Sequence, residues 1–291
     1  MIDKNERTGH WSQERRLEFI DFRLLWEGQL NRSDITDFFR ISVPQASLDL
    51  AKYQNIAPKN IAYDRKKKAY VATIDFQPVF AKFDSEHYLN ELLWRENGII
   101  KPSDSFIGWA PPMTSLSLPT RNVQPEILIR LIQAIQKKQA LIVDYRSMTS
   151  QQTTRTIYPT AIAHEGYRWH IRAYCFKSSM FKDFVLGRFF NIIETVSPPS
   201  LVPQDIDWDT FISVVIGPNP NYDEDKKLSI EHDYQMLHGE AKISIRKAQL
   251  YYLKQQLGLS TAQDGLIDDK QQIVLLRIEE NTTFQEQHGN T

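Results

Sequence analysis

The stretch "YRWHIRAYC" (167–175) sets His170, Arg172 and Tyr174 on one parity and Trp169, Ile171 and Ala173 on the other. Alternation of this kind marks a half-buried strand. The polar set is imidazole, guanidinium and phenol in a row. Tyr145, Arg155, Tyr158 and Arg188 lie on segments expected to become neighbouring strands. Guanidinium groups offer planar forks that match phosphate, and aromatic faces stack on bases. These seven residues form a candidate ligand-binding set for a polyanion that carries bases. Residues 137–188 hold 9 Lys+Arg against 3 Asp+Glu, so the charge is not compensated locally. The rival reading is that the set covers one face of a small barrel, with its arginines paired to carboxylates of another domain or a partner chain. Residues 200–291, with 8 Lys+Arg against 15 Asp+Glu, could supply those carboxylates. Trp169 shares parity with Ile171 and Ala173 and is expected in the core. His170, if it lines an anion pocket, should favour ligand when protonated.

Other chemistry finds little support. The chain has no phosphate-binding loop, no GxSxG, no HExxH and no Gly-rich dinucleotide fingerprint. His232 and His238 lie six apart among acidic residues, a spacing that reads as a loop cluster rather than a metal site. His164 and His170 straddle a turn and could meet across a hairpin for acid–base work on a phosphodiester. No nucleophile or metal ligand stands beside them, so no enzymatic activity, cofactor or metal is expected. Cys175 is the only cysteine, which excludes an intrachain disulfide; at the end of an apolar strand it reads as a buried, inert thiol.

The elements that must position these residues begin with helices. "SQERRLEFIDFRLLWEG" (12–28) has helical apolar spacing, with Ser12 as the expected cap and Gly28 as the stop. A short helix follows, capped at Asn31 or Ser33. A third starts at Ser42, with Pro44 in its first turn and Leu48, Leu50 and Tyr53 recurring at helical spacing. After Pro58 the period changes to that of a hairpin, with Arg65, Lys66, Lys67 and Lys68 at its tip. Three helices and a basic hairpin make a winged helix-turn-helix. The candidate DNA-binding residues are Ser42, Gln45, Ser47 and Lys52 on the third helix, and Arg65 to Lys68 on the wing. Gln can read adenine, while Ser and Lys can read bases or hold phosphates. The expected DNA-binding domain spans 1–80.

Residues 81–136 read as a helical connector, with helices at 85–96 and after Pro125, and a Pro- and Ser-rich segment between them that packs on something. Residues 137–199 read as four or five short antiparallel strands, a small Sm- or SH3-like barrel. Residues 200–291 read as a third, α+β domain. Its expected parts are a strand at "FISVVIG", paired strands from "LSIEHDYQ" and "EAKISIRK", a helix with Leu250, Tyr251, Leu253 and Leu257 on its core side, and a closing strand. The loop "MTSQQTT" (148–154) and the tail after Glu280 are polar. The fold class is therefore α+β, multidomain.

The barrel segment resembles the WYL domain, named for a Trp-Tyr-Leu triplet that here reads Trp169-His170-Ile171. "DYR" (144–146), "RTIYP" (155–159) and "DFVLGR" (183–188) resemble the same pattern. His170 departs from the usual Tyr. The last third, through "IGPNP" (216–220), "IEHDYQM" (230–236) and "ISIRKAQLYYLKQQLGL" (243–259), resembles the C-terminal domain of the WYL regulators of phage-defence islands, the BREX- and CBASS-associated repressors of BrxR or CapW type. The resemblance covers essentially the whole chain. It implies a homodimeric transcription factor on double-stranded DNA with an inverted repeat, usually a repressor of a defence operon. It also implies that a nucleotide or nucleic-acid fragment bound by the WYL domain relieves DNA binding.

No apolar run approaches the roughly 18–20 residues of a membrane span, and the start is polar. A cytoplasmic protein without a membrane partner is expected. Two further functions stay open: an RNA- or single-strand-binding protein that uses the barrel as its platform, and a nucleotide-processing enzyme.

Overall fold

The computed structural model describes residues 4–116, 118–148, 153–259 and 270–280, and of residues 4–12 only the helical backbone. The tail after Glu280 and most of the loop at 148–154 lie outside the described residues. The chain divides into two compact units, Met1–Pro119 and Thr120–Thr291. Residues 81–136 are thus shared between them.

The first unit runs α1 (Lys4–Glu27), β1 (Gln29–Leu30), α2 (Arg32–Phe39), α3 (Val43–Ile56), β2 (Ile61–Asp64), β3 (Ala69–Ala72) and α4 (Ser85–Glu96). The helix expected to start at Ser12 begins eight residues earlier, so Ser12 lies inside α1 and does not cap it. β1 completes a three-stranded sheet in the order β1-β3-β2. The core gathers Leu17, Phe19, Ile20 and Leu24 of α1, Ile35 of α2, and Ala46, Leu50 and Tyr53 of α3. The Pro- and Ser-rich segment returns to this core. Phe106 sits edge-on to Phe19, Phe22 and Phe38, with ring centroids 5.2–5.8 Å apart. Glu91, itself buried, accepts from Ser105 Oγ at 2.6 Å and from the Phe106 N–H at 2.8 Å.

The second unit opens with α5 (Pro125–Lys137) and five strands, β4 (Ala140–Tyr145), β5 (Thr153–His164), β6 (Trp169–Cys175), β7 (Met180–Val185) and β8 (Phe189–Val196). Their order is β7-β6-β5-β4-β8. The edge strands β7 and β8 do not pair among the described residues, so the expected small Sm- or SH3-like barrel is not closed and the strands form an open sheet. α5 covers the core face of this sheet: its Ile127, Leu131 and Ala134 pack with Leu141, Val143, Ile157, Ile171 and Ala173.

The remainder is α6 (Ile206–Asp209), β9 (Phe211–Pro218), α7 (Glu224–Asp233), β10 (Ala241–Arg246), α8 (Leu250–Gln256) and β11 (Ile273–Glu280), with the sheet order β10-β9-β11. The stretch expected to be a strand at "LSIEHDYQ" is mostly helix α7. Asp223 caps it by accepting from the Lys226 N–H at 2.9 Å, and Glu224 and Asp225 place acid in its first turn, where the helix dipole favours it. Leu250, Leu253 and Leu257 pack inward as expected, but Tyr251 is 67 % exposed.

Candidate nucleic-acid interface and ligand face

α3 is the element expected to meet DNA, and its start is capped as the sequence predicts. Ser42 caps it by accepting from the Gln45 N–H at 3.4 Å, and Pro44 occupies the first turn. Of the residues singled out on this helix, several are already engaged within the chain. The Gln45 amide donates to Asp49 Oδ1 at 3.3 Å. Ser47 Oγ donates to the Val43 carbonyl at 2.9 Å. Lys52 is exposed and its ammonium reaches Gln13 Oε1. Leu48, which recurs at helical spacing with the buried Leu50 and Tyr53, is 64 % exposed.

Two buried polar networks hold α3 to α1. Asp49, fully buried, receives Arg16 Nε at 2.6 Å and Arg16 Nη2 at 3.3 Å, together with the amides of Gln13 and Gln45. One turn on, the Tyr53 hydroxyl donates to Asp21, and Asn60 Nδ2 donates to the same hydroxyl at 3.2 Å. Asp21 also accepts from the N–H groups of Val79, Phe80 and Ala81, each at 2.8 Å. Burial, reinforced by Asp21, pushes the Tyr53 pKa far above its ordinary value, so the hydroxyl stays a donor. No charge run or motif announces this network, and sequence reasoning missed both aspartates.

The wing is a fixed turn. The Asp64 carboxylate accepts from the N–H groups of Lys66 at 2.8 Å and Lys67 at 3.1 Å, and these backbone bonds hold its pKa below the usual range. Lys68 takes φ 54°, which closes the hairpin. Arg65, Lys66, Lys67 and Lys68 are all exposed. A rigid turn that presents four cations is suited to phosphate contacts.

The seven residues of the expected ligand face separate. Tyr145 and Arg155 lie on the core side of the sheet. Tyr145 is buried between Phe184 and Phe189, with centroids 5.0 and 5.1 Å away, and its hydroxyl accepts from the Val185 N–H at 3.1 Å. Arg155 is half-buried, and its guanidinium carbon stands 5.9 Å from the centre of the Tyr145 ring. Tyr158 and Tyr174 pair across β5 and β6 on the other face and are half-buried, as is Arg188 in the turn before β8.

His170 and Arg172 share that second face but do not meet solvent. Arg172 is 6 % exposed. Its Nε and Nη2 donate to the two oxygens of Asp205 at 2.7 and 2.9 Å, and its Nη1 to Asp183 at 3.3 Å. Burial works against the guanidinium charge, but Asp205 and Asp183 outweigh it and raise the pKa above its ordinary value. This is the pairing to a carboxylate outside the strands that the sequence left as the rival reading. His170 is 2 % exposed and stacks on Tyr252 of α8, with centroids 5.0 Å apart. The Tyr252 hydroxyl donates to Asp183 at 3.2 Å. Trp169, expected in the core, is 51 % exposed. Both parities of β6 are buried, one by its own core and the other by α8 and the Asp205 turn, and Trp169 is left at the strand's open end.

The placement gives the titration of His170 a consequence for stability. Burial lowers its pKa, helped by Arg168 and Arg188 and opposed by Asp183 and Glu165, while its Nδ1 has no hydrogen-bond partner. A folded pKa below the ordinary 6.5 means that the unfolded chain binds the extra proton. The packing of α8 on β6 should therefore be fully stable above that value and weaken as pH falls beneath it. Thermal unfolding of the second unit at pH 7.5 and 5.5 should show a larger drop for the wild type than for His170→Phe. Equal drops would remove His170 from the account.

Among the described residues no group of His, Cys, Asp and Glu is placed to hold a metal, and no helix is long and apolar enough to cross a membrane.

Three family models match in order: the BrxR transcriptional regulator winged helix-turn-helix domain over residues 12–93, the WYL domain over 126–193 and the BrxR C-terminal dimerization domain over 211–281. A DNA-binding transcriptional repressor CapW of Escherichia coli (strain KTE188) is 39 % identical over 276 residues, which cover 94 % of this chain and 91 % of the relative. The CapW repressors of Pseudomonas aeruginosa and Stenotrophomonas maltophilia are 38 % and 35 % identical, over 94 % and 93 % of this chain and 91 % of each relative. A solved structure of the proteasome accessory factor PafBC of Arthrobacter aurescens aligns at 16 % identity over 83 % of this chain and 43 % of that one, with a TM-score of 0.25, too loose to bear on the fold. From its winged helix through its WYL segment to its C-terminal domain, the chain belongs to the BrxR/CapW family of WYL-domain, DNA-binding transcriptional regulators.

Proposed function

We propose that this protein is a homodimeric repressor that binds an inverted repeat in a phage-defence promoter and releases it when the WYL segment takes a nucleotide or nucleic-acid fragment. The observation that carries the DNA reading is the wing: four exposed cations on a turn fixed by Asp64, on the same folded unit as a capped α3. Ser42, Gln45, Ser47 and Lys52 flank the contact, and Arg65 to Lys68 supply phosphate neutralisation. The relatives named CapW support the sign of regulation, and the C-terminal model supports dimerisation through residues 211–281. For the effector, the half-buried Tyr158, Tyr174 and Arg188 are better placed than His170, Arg172 or Tyr145, which are enclosed, or Arg155, which lies on the core side of the sheet.

The test is a gel shift on the chain's own upstream intergenic DNA against a scrambled duplex of equal length. Retention should be specific and survive competitor. Changing Arg65, Lys66, Lys67 and Lys68 together to Ala should weaken it by about a hundred-fold or more at physiological salt. Each lost phosphate contact should flatten the salt dependence by about 0.9 units, or nearly two per dimer for Lys66→Ala alone. Equal retention of both duplexes, with tighter binding to single strands, would overturn the repressor reading.

A further inference from the structure

The outward surface of α3 is not the polar one that its sequence first offers. A helix advances about 100° per residue. Ala46, Asp49, Leu50 and Tyr53 are buried and lie together on one side. Pro44, Leu48, Ala51 and Asn55 fall diametrically opposite, and all four are exposed. Leu48 stands at the centre of this ridge. The helix carries only two charges, Asp49 and Lys52; Asp49 is buried, and Lys52 lies to the flank. No arginine is present on α3, so the bidentate contact to guanine that dominates major-groove reading is missing from it. The apolar feature of the major groove is the 5-methyl group of thymine, and an exposed aliphatic side chain at the centre of an uncharged ridge fits it.

We propose that Leu48 is a specificity-determining residue that packs against thymine methyl groups in the major groove, flanked by Pro44 and Ala51. The proposal rests on the DNA-binding reading given above and adds what α3 reads. The occupant of the apolar ridge is duplex DNA rather than protein because the ridge belongs to the second helix of a helix-turn-helix and shares its unit with the cationic wing.

The experiment uses the full chain and its own upstream duplex, prepared once with thymine and once with uracil throughout, each competed with scrambled DNA. Uracil keeps every hydrogen-bonding edge and lacks only the methyl. One buried methyl per half-site is worth about four-fold in affinity, so a dimer on two half-sites should bind the uracil duplex about fifteen-fold more weakly. Leu48→Ala should bind both duplexes alike, near the wild type's affinity for the uracil form. Lys66→Ala should bind more weakly and keep the wild-type ratio. Wild-type protein that holds both duplexes equally, while still rejecting scrambled DNA, would overturn the proposal and leave the repressor reading intact. Loss of preference over scrambled DNA would instead count against the repressor reading itself. A Leu48→Ala chain that keeps the thymine-to-uracil ratio but changes its mass in solution would assign the ridge to contact between copies, which also overturns the proposal.

Discussion

Asp21→Ala is expected to abolish duplex binding without any change to a residue that faces DNA. The Asp21 carboxylate is fully buried and accepts four hydrogen bonds, from Val79, Phe80 and Ala81 N–H and from the Tyr53 hydroxyl. Three of these donors belong to the chain that leaves the wing, and the fourth to the last turns of α3. One side chain thus ties α3, the segment that follows the hairpin and α1 together. Alanine leaves the donors facing an apolar cavity, at about 1–3 kcal/mol for each one that water does not reach. For four donors the total, about 4–12 kcal/mol, is comparable with the whole stability of a small domain. Hydrogen exchange should show α3 and residues 79–81 losing protection while the second unit keeps its own. Tyr53→Phe removes one donor and leaves the other three, and should cost about 1–2 kcal/mol. Asp21→Ala protein that unfolds at the wild-type urea midpoint would refute this account of how α3 is held.

How far the sequence reveals such features depends on what kind of signal each one leaves. The helices and hairpin of the first unit are legible because Gly28, Ser42, Pro44 and the cluster at 64–68 punctuate them. The alternation in "YRWHIRAYC" is equally legible, and Ile171, Ala173 and Cys175 are indeed buried. Alternation says which residues share a face; it does not say what covers the second face. Arg172 is enclosed by Asp205, 33 positions later, and His170 by Tyr252, 82 positions later, and neither partner is marked by local pattern. The misreading at α7 has a different cause. Leu228 and Ile230 alternate as in a strand, while the deciding signal, Asp223 followed by Glu224 and Asp225, sits just upstream. Leu48 recurs at helical spacing with Leu50 and Tyr53, yet only the latter two are buried. A helical wheel built on Ala46, Asp49, Leu50 and Tyr53 turns it outward, but a buried aspartate is hard to nominate without its Arg16 partner in view.

Arg172 separates two accounts of the WYL segment. An anion-binding fork would leave stability unchanged when removed and weaken only effector binding. The geometry predicts the opposite. Arg172 joins β6 to Asp205, the residue that caps α6 by accepting from the Trp208 N–H at 3.3 Å, and to Asp183, which also receives Tyr252 of α8. Arg172→Ala strands two carboxylates, one buried and one 12 % exposed, and the loss of one partner from such a network costs about 3–5 kcal/mol. For a unit of this size the melting temperature should fall by about 10 °C or more. Asp205→Asn keeps the cap oxygen and removes the charge. If the pair serves as a structural joint, Arg172→Met combined with Asp205→Asn should be markedly more stable than the sum of the single losses predicts, because neither uncompensated charge then remains between them. Strict additivity in that cycle, with wild-type melting for Arg172→Ala, would return Arg172 to the effector site. Coupling of the expected size would instead make β6 the strand through which the sheet of the WYL segment and the C-terminal domain are fastened. Any ligand at Tyr158, Tyr174 or Arg188 would then bind beside a rigid joint, so its effect would have to travel toward the DNA-binding unit and not through a loosened C-terminal domain.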